Sequence, residues 1–539
     1  MRQLVECVPN FSEGRDRSVI DAIADAIRRT AGCTLLDVDP GASTNRTVYT
    51  LVGPPEAIVD GALAGARVAR QRIDMRSQHG EHPRIGAMDV CPFVPVSGVT
   101  MSDCVRLAND FGARAAAELG IPVFLYGHAA RADHRRTLQQ IRAGEYEALA
   151  ARIGRPEWKP DYGAAAFVAE WGATCVGARD FLIAYNVNVL GTKEQAHRIA
   201  LDIREQGRGP GHPGRLKAVR AIGWWVEEYG LAQVSINLED HHVTPPHAAF
   251  EACDEEARKL GLAVAGSELV GLIPKAAILA AAEHYIAKER LFILDERQKV
   301  RLAVERLGLS SVQPFASEKR IIEYMIPRGE DEPLVSMSVR AFVEVLGART
   351  PAPGGGSASA LTASMGAALG AMVGWLTYGK RKFEDKDAIM RRLIPPLHEA
   401  MQALLPLVDR DTRAFDAYLA AVGLPNETEA EKAARRAAMQ AGLKAAVEVP
   451  LEVMRTADRC WEPMLEMAVH GNPASRSDVE VGAKLLEAGI WGAARNVAIN
   501  LPQIEDEAFR KAALGEADSL AARAAVQRDR VLATVAARG

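Results

Sequence analysis

Phe181-Leu182-Ile183-Ala184-Tyr185-Asn186-Val187-Asn188-Val189 alternates like a strand with one buried and one polar face. Thr192 to Glu205 follows with helical spacing, and Thr192 is placed to cap it. Strands at 217–226 and 231–238, a helix at 246–260 and a strand at 262–265 complete the order β-α-β-β-α-β. That is the split βαβ pattern of a ferredoxin-like layer.

Outward towards the N-terminus the same order occurs once already. Residues 3–8, 33–38, Thr47 to Val52 and Val90 to Val96 read as strands, with helices at 15–29 and 55–73. A helix near 102–119 and a strand at 121–126 follow. Two related α/β subdomains, 1–180 and 181–326, are therefore expected; the repeat is one of element order, not of sequence. Between them, Asp161 to Gly172 is glycine-bounded, aromatic and aperiodic. Loops between rigid subdomains commonly build ligand sites, although a plain connection is the simpler reading. The turn cluster Gly207 to Arg215, with Arg208, Arg215, Lys217 and Arg220, is locally basic and suits a polycarboxylate as well as it suits solvent.

Outward towards the C-terminus the period changes. Pro327 to Ser338 reads as a linker, and 339–539 is Ala-rich with Leu, Val and Met at spacings of three and four. An all-helical domain of five or more helices is expected, so the fold class is α/β plus all-α. Pro351-Ala352-Pro353-Gly354-Gly355-Gly356-Ser357 puts a triple glycine before a helix, with Ser357 as N-cap and free N–H groups facing an anion. No Gly-Lys-Ser/Thr follows, so it is not a Walker loop. Ser357 to Tyr378 carries no charge over a length that would cross a bilayer, with Gly366, Gly370 and Gly374 at four-residue spacing. Its small residues and the lack of a second such stretch favour a buried bundle or dimer seam and no membrane.

A net charge of -4 over 539 residues argues against a nucleic-acid partner. The seven cysteines are dispersed without a CxxC or a zinc spacing, which fits free thiols in a reducing cytosol and no metal. Met1 to Glu6 runs into a strand with no signal-peptide core, so a cytoplasmic protein is expected.

Two stretches carry chemistry. Gly80-Glu81-His82-Pro83-Arg84-Ile85-Gly86-Ala87-Met88-Asp89 holds an imidazole, two carboxylates and a guanidinium. Pro83 pushes His82 out of helical geometry onto a loop, where an imidazole is a natural general base. The helix around Leu404 to Asp416 offers Asp409, Asp411 and Asp416. Asp411 shares a face with Leu404, Val408, Phe415 and Tyr418, so its pKa should rise into a range useful for acid–base work. The other reading is a buried aspartate bonding a neighbouring helix. Asp409 neighbours Thr412, Arg413 and Asp416 on what reads as a solvent face.

Leu4-Val5-Glu6-Cys7-Val8-Pro9-Asn10-Phe11-Ser12-Glu13-Gly14, Ser43-Thr44-Asn45-Arg46-Thr47 and the His82 loop resemble the bifunctional formimidoyltransferase-cyclodeaminase family. Leu190 to His197, Ala352 to Ser357 and Arg392-Leu393-Ile394-Pro395-Pro396 match as well, so the resemblance runs through nearly the whole chain. It implies transfer of a formimidoyl group from N-formimidoyl-L-glutamate to tetrahydrofolate, then closure to 5,10-methenyltetrahydrofolate with loss of ammonia. It implies a homo-oligomer through both halves, with polyglutamylated tetrahydrofolate as substrate. By the same resemblance His82 is the transferase base, and Asp411 aligns with the cyclodeaminase aspartate. The folate-contacting segment corresponds to Gly163, Ala164, Ala165, Ala166, Phe167, Val168, Ala169, Glu170, Trp171 and Gly172. Asp39, Asn45 and Arg46 are candidates to orient His82 or bind carboxylates, and Gly354, Gly355, Gly356 and Ser357 to bind substrate in the second half. Glu268 stands where the family carries glutamine, which leaves its role open. A related enzyme acting on 5-formyltetrahydrofolate or another one-carbon glutamate derivative, and a folate-binding scaffold, remain alternatives at this point.

Overall fold

The computed structural model describes residues 3–42, 44–80, 83–209, 211–326 and 332–538. Its first unit, Met1–Ile326, opens with β1 (Leu4–Cys7), β2 (Asn10–Phe11) and α1 (Arg17–Arg28). Asp16 caps α1 by accepting the Ser18 N–H at 2.8 Å, and Val19, Ile20, Ile23, Ala24 and Ile27 form its buried stripe. β3 (Thr34–Gly41), β4 (Arg46–Gly53), α2 (Pro55–Arg72), β5 (Met88–Ser97), α3 (Met101–Leu119) and β6 (Val123–Gly127) follow. Next come α4 (Leu138–Ile141), α5 (Glu145–Arg152) and β7 (Thr174–Ala178).

The second half of this unit runs β8 (Ile183–Val189), α6 (Lys193–Ile203), β9 (Val219–Val226), β10 (Leu231–Leu238), α7 (Pro246–Lys259) and β11 (Val264–Val270). It ends with α8 (Lys275–Glu289), α9 (Glu296–Leu307), α10 (Ser317–Arg320) and α11 (Ile322–Met325). Thr192 caps α6 as the sequence predicts, in a reciprocal box with Gln195.

Among the described residues the strands form two sheets. The second runs β11-β8-β10-β9, antiparallel throughout. In the first, β3 pairs β4, β4 pairs β1, and β1 pairs β5, all antiparallel, so both sheets carry one strand permutation. This is the ferredoxin-like order expected from the pattern. The first sheet is extended by β7 and β6, which lie parallel beside β5. β7 was not legible in the sequence: Thr174-Cys175-Val176-Gly177-Ala178 is buried on both faces and shows no alternation.

The second unit, Pro327–Gly539, is helical: α12 (Val339–Leu346), α13 (Gly355–Trp375), α14 (Asp387–Val422), α15 (Glu429–Asp458), α16 (Trp461–His470), α17 (Arg476–Asn500) and α18 (Glu507–Arg538). α13 is long and apolar enough to cross a membrane, yet 61% of that stretch is buried. Gly366 abuts Leu486 of α17, Gly370 abuts Leu397 of α14 and Met464 of α16, and Gly374 abuts Ile394 and Met467. A Cβ on Gly370 would stand 2.7 Å from the Met464 methyl and 3.1 Å from Leu397. Gly370→Leu is therefore expected to cost this unit roughly 1–3 kcal/mol in a denaturant titration. An unchanged midpoint would show that the seam has room to spare.

Candidate active sites

In the first unit, His82 and Glu81 lie outside the described residues, and the structure shows the frame on either side of them. Upstream, Gly80 sits against the Thr44 carbonyl, and Asn45 adopts a left-handed φ of 47°. Asn45 Oδ1 accepts the Gly14 N–H at 3.0 Å, and its Nδ2 donates to Gln78 Oε1. Gln78 Nε2 donates to Glu13 Oε2 at 3.0 Å, while Glu13 Oε1 accepts the N–H groups of Arg15 (2.8 Å) and Asp16 (2.9 Å). Downstream, the Arg84 guanidinium donates to the Gln78 carbonyl at 3.0 Å, to Glu147 at 2.7 Å and to Glu145 at 3.0 Å. The described residues on either side, Gln78 and Arg84, are thus held by hydrogen bonds to carboxylates. His79, Gly80, Arg84, Gly144, Glu145 and Glu147 line a cleft of about 390 Å³ beside it.

Asp89 anchors the strand after the loop. It is fully buried, accepts the Ile85 N–H at 2.8 Å, and is paired with Arg46 at 2.6 Å and with Arg142. Burial pushes its carboxyl up, but the two guanidiniums outweigh burial and hold it below its ordinary value. Two cations share one anion, so the cluster carries a net positive charge. Arg46 also donates from Nε to Asn10 Oδ1 at 3.0 Å. Asn45 and Arg46, candidates to orient His82 or bind substrate carboxylates, are both bonded within this frame. Asp39 stays exposed on β3, and no hydrogen bond among the described residues reaches its side chain.

The Gly163–Gly172 segment is irregular, and the structure brings it to the same place. The Ala87 N–H donates to the Trp171 carbonyl (2.8 Å) and the Ala173 N–H to the Ile85 carbonyl (2.9 Å), so the segment lies along the residues that follow the His82 loop. Gly86 and Gly172 allow this approach: a Cβ on either would collide with the opposing backbone. The segment's residues divide. Gly163, Ala164, Ala165 and Ala166 are exposed, while Phe167 packs 5.5 Å from Tyr146. Val168 accepts the Gly172 N–H at 2.6 Å, Ala169 accepts the Tyr146 hydroxyl at 2.6 Å, and Glu170 pairs with Arg76 at 3.3 Å. Trp171 is fully buried and donates to Thr174 at 3.0 Å, so its ring packs into the core of the first sheet.

The basic turn cluster does not present free cations. Arg208 pairs with Asp202 at 2.6 Å, Arg220 with Glu239 at 2.7 Å, Lys217 with Glu205 at 3.7 Å, and Arg215 with Glu255. The sequence showed the bases but not which carboxylates, 6 to 40 residues away, would meet them. Glu268 is buried on β11 and accepts from Tyr229 (3.0 Å), Gln233 (3.2 Å) and Gln313 (3.3 Å).

In the second unit, the triple glycine and Asp411 meet. Gly354, not Ser357, is the N-cap of α13; the helix takes in Gly355 and Gly356, and Ser357 becomes its third residue. The Ser357 hydroxyl lies 2.7 Å from the Val408 carbonyl, 3.1 Å from Asp411 Oδ2 and 3.1 Å from the Thr412 hydroxyl. The Asp411 carboxylate rests on Gly356, where any Cβ would collide with it. The anion at this helix start is therefore the protein's own carboxylate. Burial raises its pKa, and hydrogen bonds from the Ser357 hydroxyl and N–H offset part of the rise. The Asn496 side-chain amide stands 3.3 Å from where a Cβ of Gly355 would be.

Asp409 does not face solvent. It is 2% exposed and accepts the N–H groups of Leu334 at 2.8 Å and Val335 at 3.2 Å, so it fastens the chain entering the unit onto α14. Helical spacing shows which residues share a face, not which segment will cover it. Asp409→Asn puts an amide N–H against one of two backbone donors and is expected to destabilise this unit by roughly 1–3 kcal/mol, read as a shifted denaturant midpoint. An unmoved midpoint would show the clamp to be dispensable. Among the described residues no group of three or more His, Cys, Asp or Glu is placed to hold a metal ion.

Comparison with known proteins covers both units. Residues 4–179 match the family model "Formiminotransferase domain, N-terminal subdomain", 184–327 match "Formiminotransferase domain", and 338–519 match "Formiminotransferase-cyclodeaminase". The chain is 57% identical over 524 residues to a formimidoyltransferase-cyclodeaminase of Dictyostelium discoideum, covering 96% of each chain. It is 56% identical over 539 residues to the protein of that name from Sus scrofa, covering 100% of both. A glutamate formimidoyltransferase of Streptococcus pyogenes serotype M1 is 41% identical over 290 residues, which is 54% of this chain and 95% of that one.

Proposed function

Because the chain belongs to the formimidoyltransferase-cyclodeaminase family, we infer how its two units divide the chemistry of a bifunctional enzyme. The enzyme transfers the formimidoyl group of N-formimidoyl-L-glutamate to tetrahydrofolate and cyclises the product to 5,10-methenyltetrahydrofolate with release of ammonia. The transfer belongs to the first unit and the cyclisation to the second. What supports this division most is the half-length relative, a glutamate formimidoyltransferase that spans 54% of this chain.

In the transfer, N5 of tetrahydrofolate attacks the amidine carbon, its proton leaves, and the bond from that carbon to the glutamate nitrogen breaks as that nitrogen regains a proton. His82 is the proposed carrier of that proton, with the exposed run Gly163–Ala166 and the cleft beside Arg84 as the substrate-facing surfaces. In the cyclisation, N10 attacks the same carbon and loses its proton, while the terminal nitrogen takes one and departs as ammonia. A carboxyl that exists in both protonation states can serve both nitrogens, and Asp411 is held for that at the start of α13. Tetrahydrofolate is a substrate here, and polyglutamylated forms are its proposed natural state.

Self-association through both units is part of this reading. Ile222, Trp224 and Trp225 on β9 and Trp491 and Ile499 on α17 are exposed apolar groups that a second copy would cover. A cytoplasmic place in histidine breakdown fits seven cysteines that are all free thiols. One assay tests the function: tetrahydrofolate and N-formimidoyl-L-glutamate are supplied together, and methenyl-folate absorbance, free glutamate and ammonia are followed. Glutamate without ammonia would leave only the transferase; neither product would refute the reading.

A further inference from the structure

In the second unit one hydroxyl proton has two acceptors within reach. Ser357 of α13 is wholly buried, and its Oγ lies 2.7 Å from the Val408 carbonyl and 3.1 Å from Asp411 Oδ2. A serine hydroxyl carries a single proton, so it bonds the carbonyl or the carboxylate and not both in full. The Thr412 hydroxyl, 3.1 Å away, can donate to Ser357 Oγ in either arrangement.

Turning the hydroxyl costs the backbone little. Val408 and Thr412 stand one turn apart within α14, so the Val408 carbonyl keeps the helix's own N–H bond when Ser357 turns away. The acceptor whose demand changes is Asp411. An ionised carboxylate draws the O–H, because bonds to a charged acceptor are the stronger, and a protonated one releases it to the carbonyl. The Ser357 N–H also bonds the carboxylate, which rests on Gly356, so the group keeps its place while the O–H turns.

No charged neighbour competes for this part. α13 has no charged residue, and Arg413 on Asp411's own helix is exposed. Arg410 pairs with Glu452 of α15 at 2.8 Å, Lys444 of α15 with Asp506 at 2.8 Å, Glu448 with Arg455 at 3.2 Å, and Glu466 of α16 with Arg392. Among the described residues no ion pair reaches Asp411, and no side chain but Ser357 bonds it. Asp411 is partly exposed and Ser357 is not, so a substrate can touch the carboxyl and not the hydroxyl.

We propose that Ser357 is a positioning residue for cyclisation: its O–H bonds Asp411 Oδ2 while Asp411 is ionised and turns to the Val408 carbonyl when Asp411 takes the proton that N10 gives up. Asp411 then passes that proton to the departing nitrogen, and the O–H turns back. No proton leaves Ser357 at any step. The proposal rests on the cyclodeaminase reading of Asp411 and adds the device that lets its carboxyl change state without moving.

The test uses the full chain with Ser357→Ala and with Ser357→Cys, whose S–H is a weak donor. Two quantities are read. One is the midpoint of the Asp411 carboxyl titration without substrate, from infrared difference spectra against Asp411→Asn. The other is the pH dependence of kcat for cyclisation of supplied 5-formimidoyltetrahydrofolate. Ser357→Ala removes a bond that only the ionised carboxylate receives. The titration midpoint and the acid limb of the kcat profile should therefore both move up by roughly one to two pH units, with Ser357→Cys in between and transfer unchanged. If neither quantity moves, the proposal is overturned, and a lowered melting temperature in that case marks a hydroxyl that only packs α13 onto α14. A shifted titration with an unmoved kcat profile overturns it too, because the turn then has no part in turnover. Should Ser357→Ala not fold, Ser357→Cys is read by the same two quantities. A parent enzyme whose Asp411 titrates but which releases no ammonia would instead refute the cyclodeaminase reading.

Discussion

Asp411→Asn should remove cyclisation, cutting ammonia release and methenyl-folate formation by roughly 10²–10⁴-fold or more, while transfer continues at the parental rate. The substitution is nearly isosteric, so the group resting on Gly356 keeps its shape and can still accept the Ser357 hydroxyl. What is lost is the exchangeable proton. Neither N10 nor the departing nitrogen then has a partner able to change protonation state. The residues proposed for transfer lie in the other unit, so transfer rate is the internal control. Supplying 5-formimidoyltetrahydrofolate and following absorbance gives the cyclisation rate directly. Asp416→Asn, on an exposed position of the same helix, should change little. Normal cyclisation by Asp411→Asn would end its assignment as the proton carrier.

His82→Ala should lower transfer by roughly 10²–10⁴-fold with cyclisation of supplied 5-formimidoyltetrahydrofolate kept. The argument is one of position. Of the residues that flank His82, Gln78 is held by Asn45 and Glu13, and Arg84 by Glu145 and Glu147. Those bonds use side chains other than His82, so removing the imidazole should leave the frame standing, and the loss should appear in kcat more than in stability. Transfer at the parental rate in His82→Ala would reduce His82 to an ordinary loop residue.

Much of the architecture was legible in the chain because it rests on local periodicity. The alternation of Phe181 to Val189, the cap at Thr192 and the three-and-four spacing beyond residue 339 each depend on a few neighbouring residues. Backbone geometry turns such spacing into strand or helix whatever lies elsewhere. The two matching strand permutations follow from the repeated element order. The same reasoning placed Asp411 on an apolar face, and its raised pKa follows from that burial.

What only the tertiary structure decided is the company each polar group keeps. Asp409 and Asp411 differ by two residues, yet one clamps the chain entering the unit and the other rests on a glycine of α13. The sequence does not show that Asp89 and Arg142 come beside Arg46, and Arg208 to Arg220 read as a basic cluster until four carboxylates pair with them. Trp171 sits in an aperiodic segment that gives no burial pattern, and only the fold puts its ring in the core. The reason is physical. Periodicity is a property of one segment, whereas the burial and pairing of a charge are set by which other segment folds against it, and that depends on contacts tens to hundreds of residues apart.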